Sequence, residues 1–472
     1  MRIVLVGGGI CGITTALLLA RDGHEVTVLE RDPRPVPDTW SAAWEDWERK
    51  GVAQFRQPHN FMPGLRRLFD EELPEVNDAL ARAGASRFDL INPLPPFLAD
   101  RTPRPIDDTL WTLTARRPVG EWVVSSIAER EPRISIRRGV KVSALTTGTS
   151  TGAGIPHVTG VRTESGEEIA ADLVVDATGR QSRGAEWLQA IGARAPHEEQ
   201  ADSGFVYYTR YFSGTRPQRR GPNLTAIGTI SLLTLPGDND TWSVTVFCAT
   251  GDQPLKALRH ASSWTRVLQA CPLHAHWLDG EATTDVLAMS GVVDRYRRFV
   301  VDGVPVATGI VAVADAWGCT NPSAGRGLTV GALHGRCLRD VLRDSASDPR
   351  ALVERFDEVT EARIAPWYHA QMAVDRARFA EMQALREGRR PDPPAGDLAR
   401  SILSMLSVMG ADADLFRDAL EYIGTITPIQ HILARPAVIE RVRLARERTK
   451  DAPPPNPPGP NRAQLLELVQ QA

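Results

Sequence analysis

The chain has 472 residues, of which 42% are hydrophobic and 24% charged, with a formal net charge of −3. That length accommodates two or three domains around a large core. The near-neutral balance gives no ground for a nucleic-acid partner, no apolar run reaches the roughly 18 residues of a membrane span, and Cys11, Cys248, Cys271, Cys319 and Cys337 show no paired spacing. Reduced cysteines and a cytoplasmic location are therefore expected. His274 and His276 lie close together but lack further ligands, so no metal site is expected.

The apolar run Ile3 to Val6 predicts a buried parallel strand, not the start of a removable leader. Gly7, Gly9 and Gly12 follow it in G-x-G-x-x-G spacing. The pattern predicts a tight turn at Gly7, close approach of a pyrophosphate at Gly9, and close helix–strand packing at Gly12. The helix opens at Ile10 and Cys11, with its free N–H groups and positive end toward the phosphates. A second strand, Glu25 to Leu29, ends at Glu30, whose carboxylate suits both ribose hydroxyls and disfavours a 2′-phosphate. The fingerprint predicts a dinucleotide site and leaves open which dinucleotide fills it.

Residues 49–59 read as a polar loop. Lys50, Gln54, Arg56 and His59 in it are either solvated or site residues, while Trp44 and Trp47 suit packing on a helix face. Arg117 stands at a helix start and suits a phosphate, or else pairs with Glu121. Residues 146–155 predict a flexible hairpin loop. A strand from Leu173 to Val175 delivers Asp176 to a turn containing Gly179 and Arg180. Phe205 to Phe212, Leu224 to Leu235 and Trp242 to Cys248 predict a mostly antiparallel sheet. Large residues on both faces of the first of these predict cover on both sides, so Tyr207, Tyr208 and Tyr211 are either core or pocket lining.

Ile310 to Ala314 predicts another buried strand, delivering Asp315 to a loop with Pro322, Gly325 and Gly327 before a long helix. A carboxylate there suits sugar or ribityl hydroxyls. The unsatisfied N–H groups at Gly327 and Leu328 suit the N1–C2=O edge of a flavin. A nicotinamide enzyme has no use for this second site, so FAD is the expected occupant. From Gly327 to about Arg448 the pattern is helical, with helices at Ser407 to Ile423 and Ala437 to Arg448 and a break at 389–394. A Pro-rich linker, 452–460, precedes a helix from Arg462 to Gln471 that either clasps the body or hangs free.

In this order, GxGxxG with Glu30, Asp176-Ala-Thr-Gly-Arg, and Asp315 with Pro322-x-x-Gly-x-Gly, the chain resembles the FAD-dependent monooxygenases of the aromatic-hydroxylase fold. That family usually carries Gly-Asp where this chain has Ala314-Asp315. Arg49-Lys-Gly-Val-Ala-Gln-Phe-Arg-Gln-Pro-His59, Arg117-Pro-Val-Gly-Glu-Trp122 and Asp202-Ser-Gly-Phe-Val-Tyr-Tyr-Thr-Arg-Tyr-Phe212 are similar to bacterial flavin epoxidases acting on polyene precursors of polyethers. The resemblance implies an α/β (α+β) fold. A Rossmann-like FAD-binding domain (1–80, 110–190, 295–345) would be interrupted by a mostly antiparallel β-sheet substrate domain (81–109, 191–294). A helical C-terminal region (346–450) and a Pro-rich linker with a terminal helix (451–472) would follow. The resemblance also implies that Arg117 contacts the ribityl–pyrophosphate region and that the Lys50-Gly51-Val52 turn passes the isoalloxazine; Arg31, next to Glu30, is counted with the cofactor-binding residues.

The implied activity is insertion of one oxygen atom, by epoxidation or hydroxylation, through a flavin C4a-hydroperoxide. The partners it implies are dioxygen and an apolar polyene, polyketide or aromatic. Electrons would come from NAD(P)H directly or through a partner flavin reductase, since no second GxGxxG is present. The difficult chemistry belongs to the flavin, so no catalytic side chain is singled out beyond the pocket candidates Arg56, His59, Tyr208 and Tyr211. The Trp-x-Trp-x-Ile-Pro motif of flavin halogenases is absent. The rival readings are a reductase of the geranylgeranyl-reductase type and a non-catalytic flavin-binding protein.

Overall fold

Five strands sharing one direction organise the chain. In the computed structural model, which describes residues 1–92, 94–95, 98–149, 154–202, 204–345, 347–451 and 457–470, their spatial order is Ile310–Ala312, Leu173–Asp176, Arg2–Val6, Glu25–Glu30 and Ile134–Arg138. Each neighbouring pair is parallel. The first strand shows why its sequence does not alternate. Ile3 and Leu5 pack with the helix Ile10–Arg21, and Val4 and Val6 pack on the other face with Val142, Trp187 and Leu188. Both faces are covered, so every position is apolar. The strands are drawn from residues 1–30, 134–176 and 310–312, so distant segments meet at one sheet edge.

A six-stranded antiparallel sheet lies between them in sequence, ordered Leu224–Ile227, Ile230–Pro236, Thr241–Ala249, Phe205–Ser213 and Glu281–Ala282, with Leu287–Met289 also on Phe205–Ser213. The strand-like stretch from Leu224 to Leu235 is a hairpin, because Gly228 turns the chain at a φ of +53°. In the segment 81–109, assigned from sequence to the substrate domain, Ser86–Asp89 pairs with Trp111–Thr114 and does not join this sheet. Of the expected loop 146–155, residues 150–153 lie outside the described residues. Those flanking them join the strands Val142–Thr147 and Val158–Thr163.

The helical region begins with Gly327–Ser345, Pro349–Arg363 and Ala365–Arg386. The helix expected over Ser407 to Ile423 is two helices, Asp397–Val408 and Ala413–Ile423. Asp412 breaks it by accepting from the N–H groups of Asp414 and Leu415, which makes it the N-cap of the second. Among the described residues no helix is long and apolar enough to cross a membrane.

The helix Arg462–Gln470 clasps the body. Leu465 and Val469 are buried with Tyr208, Phe212, Trp242 and Trp264 on one face of the antiparallel sheet. Arg462 pairs in a fork with Asp252, at 2.7 and 2.8 Å. Truncating Leu465 to Ala should cost about 2–4 kcal/mol, read as a lower urea midpoint at unchanged slope.

Candidate functional site: a dinucleotide cavity

The carboxyl ends of the parallel strands open into a cavity of about 480 Å³. It is lined both by the glycine fingerprint and by the Asp315–Leu328 segment, which are some 300 residues apart in sequence. Open α/β sheets bind ligands at this edge.

The three glycines do different work. Gly7 has a φ of +110°, and a Cβ there would stand 2.4 Å from the Ala177 carbonyl oxygen. A Cβ on Gly12 would meet the Gly7 carbonyl at 2.3 Å, so the helix sits directly on the turn. A Cβ on Gly9 would meet nothing within 4 Å and would project into free space, which is the cradle a pyrophosphate requires. The helix makes its first bond from Ile13 N–H to the Gly9 carbonyl. Ile10 and Cys11 line the cavity, and burial pushes the Cys11 thiol up to about 12, so it is an uncharged wall.

Glu30 is buried at the cavity wall. One carboxylate oxygen accepts from the Gly8 N–H at 2.8 Å and from Arg49 at 2.6 Å. Arg49 also donates to Glu121 at 2.6 Å and to the Gly8 carbonyl at 3.2 Å. Glu121 in turn accepts from Arg117 at 3.3 Å, and Arg117 donates to His59 Nε2 at 2.8 Å. His59 Nδ1 lies 2.8 Å from the Gln57 carbonyl. That fixes a neutral ring with its proton on Nδ1, and burial, with Arg117 beside it, holds its pKa well below the usual range. The Arg117–Glu121 pair weighed from sequence as a surface contact is thus internal. Arg49 and Glu121 were not singled out as site residues. A charged pair at the start of a helix and in a polar loop carries no sign in sequence that the two will meet.

Asp315 follows Ala314, whose φ is +52°. This left-handed conformation explains why glycine suits the position. The Ala314 N–H donates to His334 Nδ1 at 3.2 Å. The Asp315 carboxylate lines the cavity and accepts no hydrogen bond among the described residues. Burial raises its pKa, opposed by Arg180 and Arg117. Pro322 opens a short turn, Gly325 reverses the chain at a φ of +67°, and Gly327 starts the long helix. The N–H groups of Gly327 and Leu328 find no acceptor among the described residues.

Val52, Gly179 and Arg31 also line the cavity. The Arg31 guanidinium donates to Gln181 at 2.6 Å and lies over Gly51, where a Cβ would strike it at 2.4 Å. Arg180 lines the cavity too and bonds Gln54.

Five of the expected residues sit elsewhere. The Lys50 side chain is exposed, while its neighbours Arg49 and Gly51 face inward. The two oxygens of Asp176 are taken up by Thr178 and Ser182, so it holds its turn instead of meeting a ligand. Arg56 binds carbonyls of residues 44–47. Tyr208 points to the far face of the antiparallel sheet, because alternate residues of a strand face opposite ways. Tyr211 is on the nearer face but stacks edge-on to Trp44 at 4.8 Å, outside the cavity lining, with its hydroxyl buried and unpartnered. Trp47 packs with Ala43 and Phe55 as expected of a core residue. Among the described residues no cluster of three metal-ligating side chains occurs.

Against known proteins, the model of NAD(P)-binding Rossmann-like domains matches residues 5–71. Protein Rv3254 of Mycobacterium tuberculosis is 26% identical over 375 residues, 72% of either chain. A D-amino acid dehydrogenase of Sinorhizobium medicae is 35% identical over 76 residues, 16% of this chain and 18% of its own. In structure, the chain is similar to PqsL of Pseudomonas aeruginosa, a probable FAD-dependent monooxygenase (TM-score 0.59, 17% identity, 81% of this chain and 99% of that one). It is also similar to the flavin-dependent brominase Bmp2 (0.60, 13%, 96% and 100%) and to the anhydrotetracycline hydroxylase OxyS of Streptomyces rimosus (0.54, 19%, 90% and 76%). These likenesses show the fold: a Rossmann-like unit with mostly antiparallel sheets and many helices.

Two predictions follow from the glycine and alanine geometry. Gly9→Val should leave stability within about 0.5 kcal/mol and abolish dinucleotide retention, whereas Gly12→Val should unfold the protein; melting curves and bound-dinucleotide content separate the two. Ala314→Gly should raise stability by about 1 kcal/mol by relieving the left-handed backbone, measured by denaturant titration.

Proposed function

We propose that the chain is an FAD-dependent monooxygenase that inserts one oxygen atom into an apolar small molecule of specialised metabolism. The observation that carries this reading is the continuity of the cavity. A ligand that met only the fingerprint would leave Asp315 and the Gly327 helix end without a partner. A dinucleotide with a long second half uses both.

The residues fit such a ligand. Gly9 leaves the space a pyrophosphate needs, and the helix start supplies N–H donors. Glu30, held by Gly8 and Arg49, would accept from the ribose hydroxyls. Asp315, free of protein donors, would accept from ribityl hydroxyls. Arg117 would offer a fixed positive charge near the phosphates. Gly327 and Leu328 would present N–H groups to the ring edge where reduction places negative charge. When bound, the flavin would take up two electrons from the donor and supply activation of dioxygen. Trp317, Cys319, Trp367 and Tyr368 line the cavity and would help exclude water from the flavin ring. His59, neutral and tethered at both ring nitrogens, fixes the Arg117 guanidinium in place. The similarity to PqsL and OxyS supports oxygen insertion, and the sequence resemblance to polyether-pathway epoxidases supports a polyene or polyketide substrate. NAD(P)H, used directly or through a reductase, is the proposed electron source.

Heat-denatured protein should release about one FAD per chain, and product should gain one ¹⁸O atom from labelled dioxygen with matching oxygen uptake. Turnover under strict anaerobiosis would sink the proposal in favour of a reductase.

A further inference from the structure

The cavity wall carries eight cations, and seven of them are engaged. Arg49 and Arg117 meet acids, as do Lys141 with Glu164 and Arg183 with Glu186. Arg31 and Arg180 bond Gln181 and Gln54. Arg295 donates to the Arg180 carbonyl. The side chain of the eighth, Arg326, makes no hydrogen bond or ion pair among the described residues, and its Nε and one terminal nitrogen are buried without an acceptor.

Arg326 is nonetheless held in place. Its guanidinium lies 3.9 Å from the Tyr422 ring centre and 5.7 Å from that of Trp367. Those two rings stack on each other at 6.1 Å with an interplanar angle of 3°. Stacking uses the faces of a guanidinium and leaves all five N–H donors free at its edges. Leaving buried donors unmade costs about 1–3 kcal/mol each. Asp375, whose charge acts on Arg326 without an ion pair between them, has its carboxylate oxygens taken up by Ser323 and Gln371. Burial pushes its pKa up to about 7. Trp367, Tyr368 and Gln371 from the same helix line the cavity beside Arg326.

We propose that Arg326 is the specificity residue of this cavity. It would select a substrate whose apolar body carries an anionic oxygen pair, a carboxylate or the enolate of a 1,3-dicarbonyl, bound edge-on in a fork. This rests on the monooxygenase reading, with FAD taking part of the cavity and the substrate the rest, and deepens it, because an apolar substrate alone would leave the guanidinium unpaired.

The test uses flavin-loaded protein at pH 8, titrated with 2-naphthoate and with its neutral isostere 2-naphthamide, and followed by tryptophan fluorescence. Wild type should bind the carboxylate about tenfold tighter than the amide or better. Arg326→Gln should bind both at the amide's affinity, and Arg326→Lys should keep part of the preference, because an ammonium keeps the charge but not the fork. Flavin absorbance is recorded throughout. Equal affinities in wild type, no naphthoate binding up to its solubility limit, or an undiminished preference in either variant would overturn the proposal. Loss of flavin in both variants would also overturn it, by making Arg326 a cofactor-site residue instead. Failure of the wild-type protein to take up FAD at all would instead strike the monooxygenase reading.

Discussion

The buried charge chain from Glu30 through Arg49, Glu121 and Arg117 to His59 is the constraint on which the cavity depends. It joins the end of the second strand, the 49–59 loop and the helix Arg117–Ala128. Glu121 is fully buried, so each of its oxygens must be answered by a cation. Burying such ions costs several kcal/mol each before their attraction repays it, and buried ion pairs in general are often matched in stability by well-packed apolar residues. Their retention makes sense as geometry: the loop has one position in which every charge is met. That position puts Val52 and His59 at the cavity wall and leaves Lys50 outside it.

Much of this was legible in the sequence wherever one residue's requirement is local. The fingerprint glycines, the strand runs into Asp176 and Asp315, and the Pro322–Gly327 helix opening are all set by backbone geometry within a few residues. What the sequence did not reveal is which side chains partner each other. Asp176 and Asp315 look alike on the page, each an acid at the end of a buried strand. One is consumed by Thr178 and Ser182, and the other meets no donor. The difference lies in a serine six residues on and a turn that brings it back. Arg56 and Arg49 differ in the same way.

The antiparallel sheet shows how far alternation carries. The pattern in Phe205 to Phe212 correctly called for cover on both faces. On one face the cover is Trp264 and the helix Arg462–Gln470. On the other, Phe205 and Tyr207 pack with Phe247, Met289 and Met382. Protein therefore covers much of the face toward the site as well. The cavity reaches the sheet mainly at its Met289 edge, beside the strand Val293–Arg298 and residue Thr320.

The strand Ile310–Ala312 occupies the outer edge of the parallel sheet, beside Leu173–Asp176. As the ribosome delivers the chain, the first four strands emerge well before it. For the time needed to make some 130 further residues, the Leu173–Asp176 strand has one unpaired backbone edge, and that edge is apolar. The antiparallel sheet is completed within the same interval, so it emerges as an insertion into a sheet still open on one side. Exposed edges of this kind template aggregation. The residues that close the edge are the ones that deliver Asp315 and the Gly327 helix to the cavity. Protection from misassembly and assembly of the site are thus a single event in the life of the chain.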